Sequence, residues 1–274
     1  MFQLMSNPSV SGTTTALDLR GQKGLVVGIA NEDSLAWSAA RNFRDAGADL
    51  AITYLNEKAK VFVEPLARQL DASILLPCDV GHPDQLDAVF EAVRNRWGRL
   101  DIVFHAIAWA SQAELHGRLI DCSAQGFSES MTTSCHSFIR MAKLAEPLMS
   151  PGGSLTTLTF VGAERVVDHY NIMGPVKAAL ESTVRYLAHE LGPRGIRVNA
   201  ISAGAIRTRA ASGIKHFDEI ITESSTKAPL RRVVEANEVG RAALFMASDY
   251  ASGTTGEVLH VDAGFHTAGM IFHS

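Results

Sequence analysis

A tyrosine and a lysine seven residues apart, Tyr170 and Lys177, stand in the stretch TLTFVGAERVVDHYNIMGPVK at residues 157–177. On a helix of about 3.6 residues per turn, seven residues are nearly two turns, so the spacing predicts two side chains on one face. A phenol beside an ammonium is a proton-donating site. The cation favours ionisation of the phenol, and the phenol can pass its proton to an oxygen that becomes anionic. Alone the pair means little, because most tyrosines and lysines that share a helix face do nothing. Its meaning depends on the elements that position it.

Those elements alternate. Residues 23–30 (KGLVVGIA) read as a first buried strand, 31–34 as a polar cap, 35–46 as a helix closed by Gly47, and 49–54 as a second strand. A glycine at a strand end with helix amides just beyond suits a pyrophosphate. The spacing is not G-x-G-x-x-G, since Gly28 is followed by Ser34 and Ser38, and a purely structural turn explains the same residues equally well. Helices are predicted at 58–70, 83–97, 127–149, 171–191 and 237–248, and strands at 73–78, 100–105, 154–160, 197–202 and 257–262. This order predicts an α/β fold: a doubly wound, Rossmann-type, parallel seven-stranded sheet with helices on both faces. Ligands of such sheets sit beyond the carboxyl ends of the strands. Tyr170 and Lys177, which follow the fifth strand, therefore come to the same edge as the proposed pyrophosphate loop.

Composition narrows the alternatives. A chain of 274 residues, 46% hydrophobic and 20% charged, suits one large α/β domain. Residues 1–16 are small and polar and read as a flexible leader before a single domain at 17–274. A net charge of −4 without a basic run argues against nucleic acid. Cys78, Cys122 and Cys135 share no metal-like spacing and read as buried free thiols in a reducing compartment, with no metal site. No signal peptide and no apolar run of about 18 residues is present, so a soluble cytoplasmic protein with no membrane partner is expected.

At these residues the chain resembles the short-chain dehydrogenase/reductase superfamily and, within it, the bacterial enoyl-acyl-carrier-protein reductases. Most of the superfamily places its lysine four residues after the tyrosine, where this chain has the seven-residue enoyl reductase spacing. The stretches GIANEDSLAW, CDV, HAIAWA, AEPLM, GAERVVDHYNIMGPVKAALE, GIRVNAISAGAIRT and TGEVLHVDAGF are similar to this family in the same order. The resemblance implies NADH-dependent reduction of the trans-2 double bond of an enoyl thioester in fatty-acid biosynthesis. Tyr170 would bond the thioester oxygen and Lys177 the nicotinamide ribose. Gly28, Ser34 and Leu35 match the pyrophosphate loop, Asp79 and Val80 the adenine contacts, Ile107 the ribose and nicotinamide side, and Ile206 and Thr208 a segment closing over the cofactor. Ala110 matches a substrate-side position, and residues 210–230 a mobile substrate-binding loop and helix. The partner implied is acyl-carrier protein bearing an enoyl chain, or enoyl-CoA, and the assembly implied is a homotetramer.

Leu55 and Glu57, after the second strand, offer no cation for a 2′-phosphate although Lys58 is near, so NAD(H) is the expected cofactor. Three positions depart from the family. Phe160 replaces a second tyrosine of the catalytic set and has no hydroxyl to donate, leaving Thr157 or Thr159 to offer one. Ala108 and Ser38 replace glycines beside the cofactor, and Ala205 replaces a proline. His105 is expected to be a hydrogen-bonded scaffold residue and His169 a rim residue. Glu32 and Asp33 are expected to face water. Trp109, Phe160 and Phe217 are candidates for an acyl channel. A reductase of another enoyl or carbonyl substrate, and an NAD(H)-binding sensor without turnover, remain open beside the leading reading.

Overall fold

The computed structural model describes residues 17–269, so the leader expected at 1–16 lies outside the described residues. Seven parallel strands form one sheet: β1 (Lys23–Val27), β2 (Asp49–Tyr54), β3 (Ile74–Pro77), β4 (Ile102–His105), β5 (Gly153–Thr159), β6 (Ile196–Ala203) and β7 (Val258–Val261). Their order is β3-β2-β1-β4-β5-β6-β7, with the chain reversing direction across the sheet between β1 and β4. The ligand crevice of a doubly wound sheet opens at that switch point.

Strand alternation fixes the two layers. Leu25, Val103, Leu155 and Val198 point into a core with α3 (Pro83–Trp97), α6 (Ser137–Ala145) and α7 (Met173–Leu191). Val26, Leu50, Phe104 and Ile201 point the other way, onto α1 (Leu35–Asp45), α2 (Glu57–Gln69) and α9 (Ala236–Ala247). Two short helices, α4 (Gln112–His116) and α8 (Phe217–Lys227), lie in the connections after β4 and β6. Among the described residues no helix is long and apolar enough to cross a membrane.

The long helix expected at 127–149 is interrupted. α5 (Ala124–Met131) runs into a π-helical turn at Thr132–His136 before α6 resumes, and a 3-10 turn ends it at Glu146–Leu148. The widened turn aims hydroxyls at the end of β4. Ser134 Oγ accepts from Trp109 N at 2.8 Å and donates to Trp109 O at 3.0 Å, while Ser137 Oγ lies 2.9 Å from His105 Nε2. A π-turn beside a functional edge is a recurring placement.

Candidate active site

Tyr170 is not on the helix that carries Lys177. The helix begins at Met173, and Pro175 explains why. In a helix that began at residue 171 the proline ring would clash with the carbonyl four residues back, whereas in the first turn its missing N–H costs nothing. Tyr170 instead sits in a turn whose flanking residues, His169 (φ 65°) and Asn171 (φ 43°), are both left-handed. Asn171 Nδ2 donates to Leu115 O at 2.6 Å and ties the turn to α4. The Tyr170 ring lies over Gly162, where an added Cβ would come within 2.4 Å of it, and beside Phe160 with ring centroids 5.0 Å apart.

Lys177 is buried, and its ammonium donates to Leu158 O at 2.7 Å. Burial brings its pKa down to about 8, against the opposing pull of Cys135 and Glu181. Burial, and then the Glu181 carboxylate, push the Tyr170 hydroxyl above the ordinary phenol range. The sequence-based expectation of a phenol readied for ionisation is therefore reversed. Tyr170 stays protonated throughout the neutral range and acts as a hydrogen-bond donor. Its hydroxyl makes no hydrogen bond to another described residue, and Tyr170 and Lys177 both line a cavity of about 500 Å³.

Most of that cavity is apolar. Ala108, Trp109 and Ala110 line it after β4, Leu158, Thr159 and Phe160 at the end of β5, and Ala205, Ile206, Thr208, Ile214 and Phe217 after β6. Thr159 supplies no free hydroxyl in place of the absent tyrosine, because its Oγ1 donates to Glu181 at 2.6 Å. Nor does Thr157, whose hydroxyl faces His105 at 2.8 Å. The 210–230 segment is a 3-10 turn at Ala211–Gly213 followed by α8. Thr208 Oγ1 caps that turn at Ala211 N, Arg207 pairs with Asp218 of α8, and His116 Nε2 meets Gly213 O at 3.0 Å.

The residues expected to hold a nucleotide follow the ends of β1, β2, β3, β4 and β6. Gly28 has φ 111°, and a Cβ there would meet Ala106 O at 2.2 Å, so only glycine fits. Ser34 precedes α1 without capping it: its Oγ accepts from Ala30 N and Asn31 N, each at 3.0 Å. The first-turn amides of α1 thus have no side-chain acceptor, and no acidic residue stands in that turn. Glu32 and Asp33 are exposed. An uncapped helix N-terminus with no acidic residue in its first turn fits a pyrophosphate. Leu35, Ile206, Thr208 and Lys177 line the cavity, whereas Gly28, Ser34, Leu55, Asp79, Val80 and Ile107 do not. Leu55 is exposed, Asp79 Oδ1 accepts from Gly81 N at 2.9 Å, and Val80 and Ile107 pack into the core. Ser38 lies away from this edge. It faces Gly240 of α9, where a Cβ would come within 2.4 Å of its Oγ, so it serves helix packing rather than narrowing the cofactor's room.

Among the histidines, His105 is fully buried between Thr157 and Ser137, as a scaffold residue should be, and burial takes its pKa down to about 3. His169 is exposed and stacks on His216 with ring centroids 4.7 Å apart. The three cysteines are free, Cys78 and Cys135 buried as expected but Cys122 only half-buried, and among the described residues no cluster of side chains suits a metal ion. Gly162 and Glu181 escaped sequence reasoning. The former looks like any loop glycine, and the latter only like a polar residue of a helix.

A parallel sheet with this strand order, with a tyrosine and lysine at its carboxyl edge, defines a short-chain dehydrogenase/reductase. A family model described as Enoyl-(Acyl carrier protein) reductase matches residues 28–266. Enoyl-[acyl-carrier-protein] reductase [NADH] 1 of Rhizobium meliloti is 50% identical over 252 residues, covering 92% of this chain and 93% of that protein. The Anaplasma phagocytophilum enoyl-acyl-carrier-protein reductase solved with NAD superposes with a TM-score of 0.89 at 49% identity, over 94% of this chain and 98% of that one. The Bacillus cereus enzyme solved with NADP+ and an indole naphthyridinone gives 0.90 at 44% identity, over 92% and 100%. The chain belongs to the enoyl-(acyl carrier protein) reductase family.

Proposed function

We propose that this chain reduces the trans-2 double bond of enoyl thioesters carried on acyl-carrier protein, with NADH, in fatty-acid biosynthesis. One observation carries the reading: a single apolar cavity has a protonated phenol and an ammonium in its wall, next to an uncapped helix N-terminus. NADH, when bound, supplies hydride to the β-carbon of the enoyl chain. The thioester oxygen then gains charge, and Tyr170 Oη is the donor that meets it. Lys177, anchored at Leu158 O, keeps further N–H donors for the ribose and adds positive potential. Phe160 supplies an apolar wall that fixes the Tyr170 ring, and Ala110 lies on the acyl side of the cavity. Gly28, Ser34 and Leu35 would hold the pyrophosphate, Asp79 and Val80 the adenine, Ile107 the ribose, and Ile206 and Thr208 would close over the nucleotide. Leu55 and Glu57 favour NADH over NADPH. The Glu57 carboxylate, which accepts from Tyr54 at 3.3 Å, stands where a 2′-phosphate would seek a cation. A cytoplasmic homotetramer served by acyl-carrier protein or coenzyme A thioesters belongs to the same reading.

Following NADH absorbance with crotonyl and longer trans-2-enoyl thioesters, and again with NADPH, tests it. Oxidation should depend on the enoyl substrate and be faster with NADH. Tyr170→Phe should keep NADH binding and lose about a hundredfold or more in turnover. An undiminished rate in that variant would remove Tyr170 from its role, and silence with every thioester despite NADH binding would favour the sensor.

A further inference from the structure

One buried ionisable group beside the site has no part in this chemistry. Glu181 lies one turn beyond Lys177 on α7, is 7% exposed, and does not line the cavity itself but bonds to Thr159, which does. The two charges do not pair directly. Lys177 Nζ donates to the carbonyl of Leu158 at 2.7 Å, while Glu181 Oε1 accepts from the hydroxyl of the next residue, Thr159, at 2.6 Å. Adjacent residues at the carboxyl end of β5 are thus fastened to adjacent turns of α7 by two bonds of opposite polarity. We propose that Glu181 is a positioning residue for the reaction, a buried countercharge that keeps the Lys177 side chain in its ammonium form and seated on the Leu158 carbonyl. The inference rests on the reading of the Tyr170–Lys177 site given above.

Of the two groups that favour the Lys177 ammonium, Cys135 first and then Glu181, only Glu181 is a carboxylate. Lys177 is faced by Cys135 from the π-turn, by neutral His105 from β4 and by protonated Tyr170. Glu181 in turn is faced by Glu164 from the turn after β5, His260 on β7 and Arg185 on its own helix. Burial raises its carboxyl above the usual range, and the Thr159 hydroxyl opposes that rise. An ammonium in a dry site is unstable against deprotonation unless an anion compensates it. The bond from Thr159 also turns that hydroxyl away from the cavity it lines, so the acyl wall stays apolar.

Two readouts on Glu181→Gln test the proposal. The first is the titration of Lys177 itself, followed by the ε-methylene signals of 13C-lysine-labelled protein between pH 6 and 10 and assigned with Lys177→Arg. Wild type should titrate at about 8, and Glu181→Gln about one pH unit lower, the lower end of what a nearby opposite charge gives. The second is the pH profile of kcat/KM. Its alkaline limb should move down by the same amount, so that the variant loses severalfold at pH 8 and little at pH 6. Should Glu181→Gln fail to fold, Thr159→Val removes the bond that holds the carboxylate ionised and should shift both readouts in the same direction. A Lys177 titration unchanged in these variants, with activity lowered equally at every pH, would overturn the proposal in favour of a purely structural carboxylate. A shifted titration with an unshifted limb would uphold the countercharge and instead remove Lys177 from the reaction.

Discussion

Tyr170 owes its position to a hydrogen atom. Gly162 has only that where any other residue has Cβ, and a Cβ would lie 2.4 Å from one edge carbon of the phenol and 2.8 Å from another. Both contacts are inside the range that real structures tolerate, so the ring must shift if the glycine is replaced. Gly162→Ala should therefore cost tenfold or more in kcat, since about 1.4 kcal/mol is a factor of ten, and leave NADH affinity within a fewfold. A titration of NADH fluorescence beside steady-state kinetics separates the two, and an unchanged kcat would show that the ring has no fixed seat. The pair became legible once its spacing was set beside the strand order, and Tyr170 and Lys177 do share the cavity. The reason offered for it was not. Helical periodicity suggested one face of one helix, whereas a proline in the first turn delays the start of that helix to Met173 and a left-handed turn delivers the phenol. The direction of the Tyr170 shift was equally hidden, since it depends on burial and on Glu181 rather than on the neighbouring cation.

Elements were legible wherever pattern is local. The helix at Pro83–Trp97 and the strand at Asp49–Tyr54 have the expected bounds, set by an N-terminal proline and by continuous burial. The π-turn at Thr132–His136 left no trace in hydrophobic periodicity, because its purpose is polar: it brings Ser134 and Ser137 to the end of β4. Packing between helices was hidden too, as Ser38 against Gly240 shows. A testable element is the start of α9. Glu238 at its third position accepts from Glu235 N at 2.9 Å and receives both guanidinium nitrogens of Arg232, at 2.7 and 2.8 Å. Arg232 holds the Glu238 carboxyl at about 2, below the usual carboxylate range. A depressed carboxylate stabilises the fold above its unfolded pKa and loses that contribution as pH falls from about 4.5 towards 2. Both side chains are partly exposed, so Glu238→Gln should cost only about 1 kcal/mol at pH 7. In urea unfolding the gap to wild type should narrow between pH 5 and 3. A gap that stayed constant would assign the effect to packing.

At the scale of the molecule, one edge of the sheet collects the cavity. The loops after β4, β5 and β6 line it, and the turn after β1 reaches it at Leu35. The seam between β4 and β5 is bolted by His105, whose two ring nitrogens meet Thr157 at 2.8 Å and Ser137 at 2.9 Å. Neutral and fully buried, with its pKa at about 3, it gives the fold stability that is complete above about 6.5 and is lost as pH falls towards 3. The unfolded chain takes up that proton and the folded chain does not. His105→Gln should be less stable at pH 8, and its stability should fall less steeply below pH 6.5, by about 1.4 kcal/mol per pH unit for one proton. Chemical unfolding of both proteins across pH 4.5–8 reads the difference, and parallel curves would mean that His105 is charged inside the fold. The same seam has a consequence for observing the protein. Trp109, just beyond it, is half-exposed in the wall of the cavity, while Trp37 is buried against the opposite core and Trp97 lies beneath the Lys23 ammonium at the far end of the strands. One indole of the three therefore sees whatever enters the cavity. The molecule carries its own optical probe, and its ultraviolet emission should change when the cavity is filled, without any label.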